Sequence, residues 1–226
     1  EKRFVVQGGS ADVILVAART GGAPGETAGL TLFAVERDAP GLAAASDRLV
    51  DSSMAARLAF DNVAVDADAV IGEVDQGWTV LARLLNAGRT AAAAEMVGLA
   101  GGAMDMTVDY LKQRTQFGQP IGAFQALQHR AGHLYSELEI ARAATLKAQQ
   151  LLDEGDPDAE LFVSVAKAKA GRTATLAVQE GVQMHGGIGM TDEHDIGLYM
   201  KRDRALNELF GDANYHSDRV ARLKGY

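Results

Sequence analysis

Two short segments carry the residue types from which a ligand site could be built. Residues 114–121 read RTQFGQPI, and residues 183–190 read QMHGGIGM. An arginine guanidinium can pair with two oxygens of one phosphate group, and glycines let a backbone approach a ligand closely because no Cβ intervenes. Each feature also has an ordinary structural explanation, since an arginine before a turn is usually solvated and paired glycines usually end a helix. Their meaning therefore depends on the elements that carry them.

A second group of polar residues could in principle bind a metal ion. His129, His133 and Glu137 follow one another at steps of four, which places them on one face of a helix. A surface pair or a packed histidine is the simpler interpretation, so we expect no metal site. Near the C-terminus, Asp212 and His216 could contribute a carboxylate and a polar contact.

The first third of the chain predicts short strands. Apolar runs at residues 3–7, 12–18, 30–35, 57–60 and 63–65 are separated by turn signals rich in glycine, proline, Asp and Asn. This spacing predicts part of an antiparallel sheet or barrel over residues 1–73.

From about Asp75 onward the apolar residues recur at helical spacing. One helix is predicted to run to about Tyr110, and a second from Phe124 with one apolar stripe. A third helix is predicted from about Ala159 toward Met184, and a fourth over residues 199–223. Four long helices with short connections predict an up-down four-helix bundle over residues 74–226. The expected fold class is α+β.

Composition narrows the function. The chain has 226 residues, a formal net charge of −8 and no cysteine, so a basic nucleic-acid footprint, disulfides and thiol chemistry are excluded. No apolar run approaches the ~20 residues of a membrane span. With no visible signal peptide, we expect a cytoplasmic protein without nucleic-acid partners.

The two segments together resemble signatures of the acyl-CoA dehydrogenase family. The first fits R-x-Q-F-G-x-P-I-x-x-F-Q-x-x-Q and the second fits Q-x-x-G-G-x-G. Residues 58–72 resemble the stretch leading out of that family's middle β-domain, and residues 72–78 resemble its entry into the bundle. The resemblance covers essentially the whole chain, and it implies that the family's N-terminal helical domain and the first part of its β-domain lie upstream of Glu1.

The resemblance implies FAD as cofactor and α,β-dehydrogenation of an acyl-CoA as reaction, with the α-proton going to a carboxylate and a hydride to the flavin. In the family, one subunit's bundle holds the ADP half of a flavin whose ring belongs to its neighbour. The carried-over cofactor-binding residues are Arg114, Gln116, Phe117, Gln125, Gln183, Gly186 and Gly187. Arg89 is a candidate substrate-binding residue. An electron-accepting flavoprotein is the implied redox partner.

Three departures from the family pattern concern the flavin ring and the acyl α-carbon. The usual catalytic Glu position is Gly211, and the alternative base position before Arg89 is Gly88. Val6 stands where a threonine would bond the flavin ring, and it has no hydroxyl. We therefore expect no catalytic residue in this chain. It resembles a base-less subunit of a heteromeric acyl-CoA dehydrogenase, which supplies the ADP-half contacts and an interface to a homologous catalytic subunit.

Three alternatives stay open. Asp212 could replace the missing base in a self-sufficient homotetramer, although a one-residue shift would displace its carboxylate by more than ~1 Å, which proton abstraction tolerates poorly. A flavin monooxygenase on the same fold needs no α-proton base. A structural subunit would bind no flavin.

Overall fold

The computed structural model describes residues 1–226, and its secondary structure is of the α+β class that the sequence predicts. The chain forms two compact units, Glu1–Leu85 and Asn86–Tyr226. The boundary between them falls inside the first helix. None of the helices is both long and apolar enough to cross a membrane.

The first unit contains six strands in two antiparallel sheets. They are β1 (Lys2–Val6), β2 (Val13–Arg19), β3 (Leu30–Glu36), β4 (Leu42–Arg48), β5 (Met54–Phe60) and β6 (Val70–Ile71). One sheet has the order β1-β5-β4 and the other β2-β3-β6. Alternate residues such as Ile14 and Val16 on β2 are buried and pack with Val35 and Leu58, which gives this unit its own apolar core.

Two sequence predictions within this unit differ from the structure. Strand β4 was not predicted, because its sequence LAAASDR lacks the apolar alternation of a typical strand; pairing with β5, from Leu42 opposite Phe60 to Arg48 opposite Met54, holds it in place. The predicted strand at residues 63–65 does not form. That segment instead leads into a 3-10 turn at Ala67–Ala69.

The second unit is helical. The helices are α1 (Gly77–Gln113, which begins in the first unit), α2 (Gln125–Glu154), α3 (Ala159–His185), α4 (Ile196–Glu208) and α5 (Ala213–Leu223), and a hairpin of β7 (Thr115–Gln116) and β8 (Gln119–Pro120) joins α1 to α2. Gly155 ends α2 in the left-handed conformation, at φ 66°, a common helix stop.

Small side chains dominate the core of this helical unit. Its fully buried residues are largely alanines: Ala93, Ala100, Ala103, Ala141, Ala148, Ala166, Ala170, Ala174 and Ala177. Such residues let helix axes approach closely. Two glycines of α3 leave no space for a side chain, because a Cβ would lie 2.7 Å from Cδ1 of Ile196 at Gly181 and 2.7 Å from Oδ1 of Asn207 at Gly171. Helix α4 therefore packs tightly onto α3.

The fourth predicted helix is divided into α4 and α5. Leu209 is extended, Phe210 and Gly211 have φ values of 60° and 100°, and Asp212 restarts the helix as N-cap of α5. The apolar period continues across this break, which is why the sequence predicted one helix. Gly211 and Asp212 are nevertheless ordinary stop and start signals, and the four-residue interruption is the loop discussed below.

Candidate functional site

A cleft of about 590 Å³ lies at one end of the helical unit, between the ends of α1 and α3 and the β7–β8 hairpin. It gathers five of the seven predicted cofactor-binding residues, namely Arg114, Gln116, Gln183, Gly186 and Gly187. The remaining wall is aromatic and apolar, with Tyr110, Ile121, Leu127, Met184 and Ile188. Two segments almost 70 residues apart in sequence thus meet in one cleft.

The hairpin is anchored to the end of α1 by backbone hydrogen bonds. The Arg114 amide donates to the Tyr110 carbonyl at 2.8 Å, and the Ile121 amide donates to the Arg114 carbonyl at 2.8 Å. At the turn, Phe117 and Gly118 both have positive φ, 53° and 81°, as a two-residue hairpin of the I′ type requires. These contacts fix where the Arg114 side chain emerges.

Phe117 and Gln125 are not part of the cleft wall. Phe117 sits at the tip of the turn with 90% of its surface exposed, and its ring meets the edge of Phe124 at a centroid distance of 6.0 Å. A bulky residue at positive φ is uncommon and costs conformational energy. The turn therefore presents an apolar ring to the outside at some expense of stability. Gln125 is exposed at the start of α2.

The glycines after α3 differ in what they do. Gly186 ends the helix at φ 66°, a conformation that favours glycine. Gly189 packs back on the helix, because a Cβ there would lie 2.7 Å from the Val182 carbonyl oxygen. Around Gly187 a Cβ would meet nothing within 4 Å, so this backbone borders open space in the cleft. A ligand could approach the chain directly at this position.

A cluster of aromatic rings under the cleft was not predicted from the sequence. His185 lies between Tyr110 and His194, with ring centroids 4.6 Å and 4.1 Å away. Its Nδ1 is 2.7 Å from the Gly181 carbonyl oxygen, and burial lowers the pKa of His185. Because a carbonyl oxygen can only accept, Nδ1 is the donor in this contact. The sequence contained one indication of its importance, since His185 lies within residues 183–190, one of the two segments singled out above.

The loop that divides α4 from α5 is held by two buried side chains. Lys167 of α3 donates to the carbonyl oxygens of Leu206 and Gly211 at 3.1 and 2.8 Å, and burial lowers its pKa to about 8. Nε2 of His216 lies 3.0 Å from the Phe210 carbonyl oxygen, and burial lowers the pKa of His216 to about 4. The loop backbone is thus fixed from inside the bundle.

Lys167 was missed at the sequence level, although a signal was present. It follows Val163 and precedes Ala170 and Ala174 at steps of four, three and four, so the period of the helix places it on the buried face. A lysine in such a position needs buried acceptors, and the last carbonyls of a helix provide them.

Neither glycine expected at a base position borders an empty space. A Cβ on Gly88 would lie 2.8 Å from a carbon of the Phe210 ring. A Cβ on Gly211 would lie 2.9 Å from Cε1 of Tyr215, and the φ of 100° adds backbone strain for any other residue. The chain's own rings occupy the places that carboxylate side chains would need.

Asp212 has a structural role. Its Oδ1 accepts a hydrogen bond from the Tyr215 amide at 2.7 Å, which caps the start of α5. The residue also borders a second cleft of about 420 Å³, together with Asp203 and Asn207. Burial raises the pKa of Asp203, whose oxygens accept hydrogen bonds from Thr175 and Asn207. These bonds tie α3 to α4.

Arg89 and the histidines of α2 complete the set of sequence candidates. Arg89 is buried in α1, 6% exposed, with one hydrogen bond from Nη1 to Asn86 Oδ1 at 3.1 Å. Glu137 pairs with Lys169 of α3. Of the three residues considered as metal ligands, Glu137 is thus paired with a lysine, and His129 and His133 lie on the exposed face of α2.

Comparison with known proteins places the chain in a family. Residues 75–224 match the family described as acyl-CoA dehydrogenase, C-terminal domain. The chain belongs to the acyl-CoA dehydrogenase family. It is 35% identical over 217 residues to cyclohex-1-ene-1-carbonyl-CoA dehydrogenase of Geobacter metallireducens, which covers 95% of this chain and 57% of the relative. The chain thus spans a little over half the length of such relatives.

Two solved structures of the family share this fold. Butyryl-CoA dehydrogenase from Megasphaera elsdenii superposes with a TM-score of 0.93 at 29% identity, covering 99% of this chain and 58% of that one. The ChsE4-ChsE5 complex from Mycobacterium tuberculosis contains a chain that superposes with a TM-score of 0.87 at 25% identity, covering 100% of this chain and 59% of that one.

Relative to the family signatures, this chain differs at the two positions where the sequence comparison expected a catalytic carboxylate. Gly88 and Gly211 carry no carboxylate, and aromatic rings cover both positions. Val6, at the end of β1 opposite Ala55, is 57% exposed and offers no hydroxyl group. The cleft at the end of α1 and α3, by contrast, contains five of the seven signature residues expected to bind the cofactor.

Proposed function

We propose that this chain is a subunit of a FAD-dependent acyl-CoA dehydrogenase, in which it contributes contacts to the ADP half of FAD and an interface to a catalytic partner chain. The observation that carries the proposal is a contrast within the bundle. The cleft of the two signatures is formed, whereas the positions of the catalytic carboxylate are glycines covered by the rings of Phe210 and Tyr215.

The residues of the cleft fit a dinucleotide. The side chains of Arg114 and Gln183 make no hydrogen bond or ion pair within the chain, so both are free for a ligand. A guanidinium is suited to pyrophosphate oxygens, and the open backbone at Gly187 admits a phosphate or a ribose. Phe117 offers an exposed ring for adenine. When bound, FAD supplies the acceptor for a hydride from the acyl β-carbon.

A partner chain would supply what this chain lacks. A carboxylate base must lie within hydrogen-bond reach of the proton that it removes, and no such group is offered at residue 88 or 211. The resemblance of this fold to a chain of the ChsE4-ChsE5 complex, whose name indicates two different chains, supports an assembly of unlike subunits. We further propose an acyl-CoA as substrate and an electron-accepting flavoprotein as redox partner.

There are two alternative functions, a dehydrogenase that uses Asp212 as its base and a flavin monooxygenase. A self-sufficient dehydrogenase that uses Asp212 is disfavoured, because that carboxylate already caps α5. A flavin monooxygenase on the same fold needs no α-proton base, so the glycines at residues 88 and 211 are compatible with it. The products separate these reactions, since dehydrogenation yields an enoyl thioester and monooxygenation incorporates oxygen.

The cofactor contacts can be tested on the chain alone with ADP and FAD as titrants in calorimetry. Arg114→Ala should weaken ADP binding by about one to two orders of magnitude, because a charge-assisted pair contributes roughly 1.5–3 kcal/mol. Arg142→Ala is the matched control, since Arg142 is an exposed arginine of α2 paired with Glu139. Equal ADP affinities for wild type and Arg114→Ala would remove Arg114 from the site.

The assignment of roles requires activity measurements on a complex with a homologous chain that carries the family's Glu. The chain alone should not oxidise an acyl-CoA, whereas the complex should. Changing the partner's base Glu to Gln should abolish turnover, and Asp212→Asn in this chain should leave most of it. The paired-subunit proposal fails if Asp212→Asn abolishes turnover while the partner's Glu is dispensable.

A further inference from the structure

Arg89 is a buried cation without an acidic partner. It is 6% exposed, it forms no ion pair, and its only hydrogen bond is to the Asn86 amide oxygen. Its Nε is buried and has no acceptor. Burial lowers the pKa of Arg89, and the one group that opposes this effect is the phenol of Tyr215 rather than a carboxylate.

The neighbouring charges do not compensate Arg89. Lys167 and Arg219 lie within electrostatic reach of its guanidinium and add positive charge, whereas the neighbouring His216 is kept neutral because burial lowers its pKa to about 4. The nearby carboxylates act on other cations: Glu160 pairs with Arg219, and Asp212, Asp203 and Glu208 raise the pKa of Lys167. Nδ1 of His216 is also buried without a partner. Arg89 is therefore left without a carboxylate of its own.

One edge of the Arg89 guanidinium stays open. Nη1 is bonded to Asn86 and Nε is enclosed, but Nη2 makes no hydrogen bond and is not enclosed. A buried charge without a counterion destabilises the folded state. An anion at this open edge would recover part of that cost, and a small one needs the least space beside a side chain that is 6% exposed.

We propose that the open edge of Arg89 binds a small carboxylate. The planar guanidinium matches the geometry of a carboxylate group. Arg89 directly follows Gly88, one of the two positions where the family pattern can place a carboxylate and this chain has glycine. A free carboxylate would supply the negative charge that no side chain of this protein gives to Arg89.

Acetate is the probe, and acetamide is its uncharged counterpart of nearly equal shape. Both are titrated into the flavin-free chain at constant ionic strength set with sodium chloride, with binding followed by NMR chemical shifts and by the midpoint of thermal unfolding. Acetate should bind saturably and raise the midpoint, whereas acetamide should do neither. Because no flavin is needed, the outcome is separate from that of the FAD proposal.

Arg89→Gln should reduce the acetate affinity at least tenfold, and Arg172→Gln, at an exposed arginine of α3 bonded to Ser217, should leave it unchanged. If Arg89→Gln does not fold, Arg89→Lys is the second variant. It keeps the positive charge but lacks the two parallel N–H donors of a guanidinium, so it should still weaken acetate binding. Equal responses of the wild type to acetate and acetamide, or unaltered acetate affinity in an Arg89 variant, would overturn the carboxylate site.

Discussion

At the scale of single residues, the most informative groups are the buried ones that titrate. His216 has no exposed surface, and its imidazole accepts no charge readily because burial lowers its pKa to about 4. In the unfolded chain the same side chain has a pKa near 6.5. Between these two values the unfolded state binds a proton that the folded state does not, so folding stability must fall as the pH falls.

His216→Gln should remove this part of the acid sensitivity. The wild type should lose about 2 kcal/mol of unfolding free energy between about pH 7 and about pH 5 through His216. Urea unfolding at the two pH values measures the difference. The control is His129→Gln on the exposed face of α2, which should show the same difference in unfolding free energy between the two pH values as the wild type. If His216→Gln loses as much stability between the two pH values as the wild type, His216 is not the group responsible.

Restoring a carboxylate at Gly211 should damage the protein rather than activate it. Gly211→Glu places a side chain at a φ of 100° and against the Tyr215 ring, which should cost about 2 kcal/mol or more in unfolding free energy. Gly132→Glu is the matched control, because a Cβ there meets nothing within 4 Å and the residue is in the middle of α2. Acyl-CoA oxidation by Gly211→Glu alone, with undiminished stability, would refute this expectation.

At the scale of elements, the start of α5 depends on one side chain. Asp212→Ala removes the cap and should destabilise the protein by about 1 kcal/mol, whereas Asp212→Asn keeps an acceptor and should cost less. Thermal unfolding followed by circular dichroism gives both values. If the two substitutions are equally costly, the charge of Asp212 near Lys167 matters more than the cap.

The elements also show how far the sequence could be used. Residues 114–121 and 183–190 each had an unusual composition, and the structure brings nine of their members into one cleft, five of them predicted cofactor-binding residues. The sequence could not indicate that Phe210 and Tyr215 cover the two glycines, because those contacts depend on the break between α4 and α5. Strand β4 could not be predicted either, because pairing with β5 rather than its own apolar pattern makes it a strand.

At the scale of the whole molecule, exposed apolar groups predict association. In the helical unit Phe117, Met190 and Leu198 are 90%, 79% and 61% exposed. Leu198 borders a shallow groove with Leu99 and Gly98 on α1. The lining of this groove is largely apolar, and contiguous apolar exposure is typical of surfaces that bind another protein chain.

The purified chain should therefore not be a stable monomer at micromolar concentration. Light scattering should show a dimer or a larger species, and Leu198→Asp should shift it toward monomer by burying a charge in the contact. Gln149→Asp, on the exposed face of α2, is the control and should not change the mass. A monomer that is also unaffected by a homologous chain would exclude the interface.

The hydrogen bonds from Lys167 and His216 to the backbone of the loop at residues 209–212 have a consequence for how such a chain evolves. Because Lys167 and His216 hold the loop by its backbone carbonyls, the path of residues 209–212 does not depend on which side chain stands at 211. Any residue except glycine is strained there at a φ of 100°. Once selection for proton abstraction is relaxed, mutation to glycine gains stability without moving the loop. For the proposed base-less subunit, a return from glycine to glutamate at residue 211 would therefore cost stability.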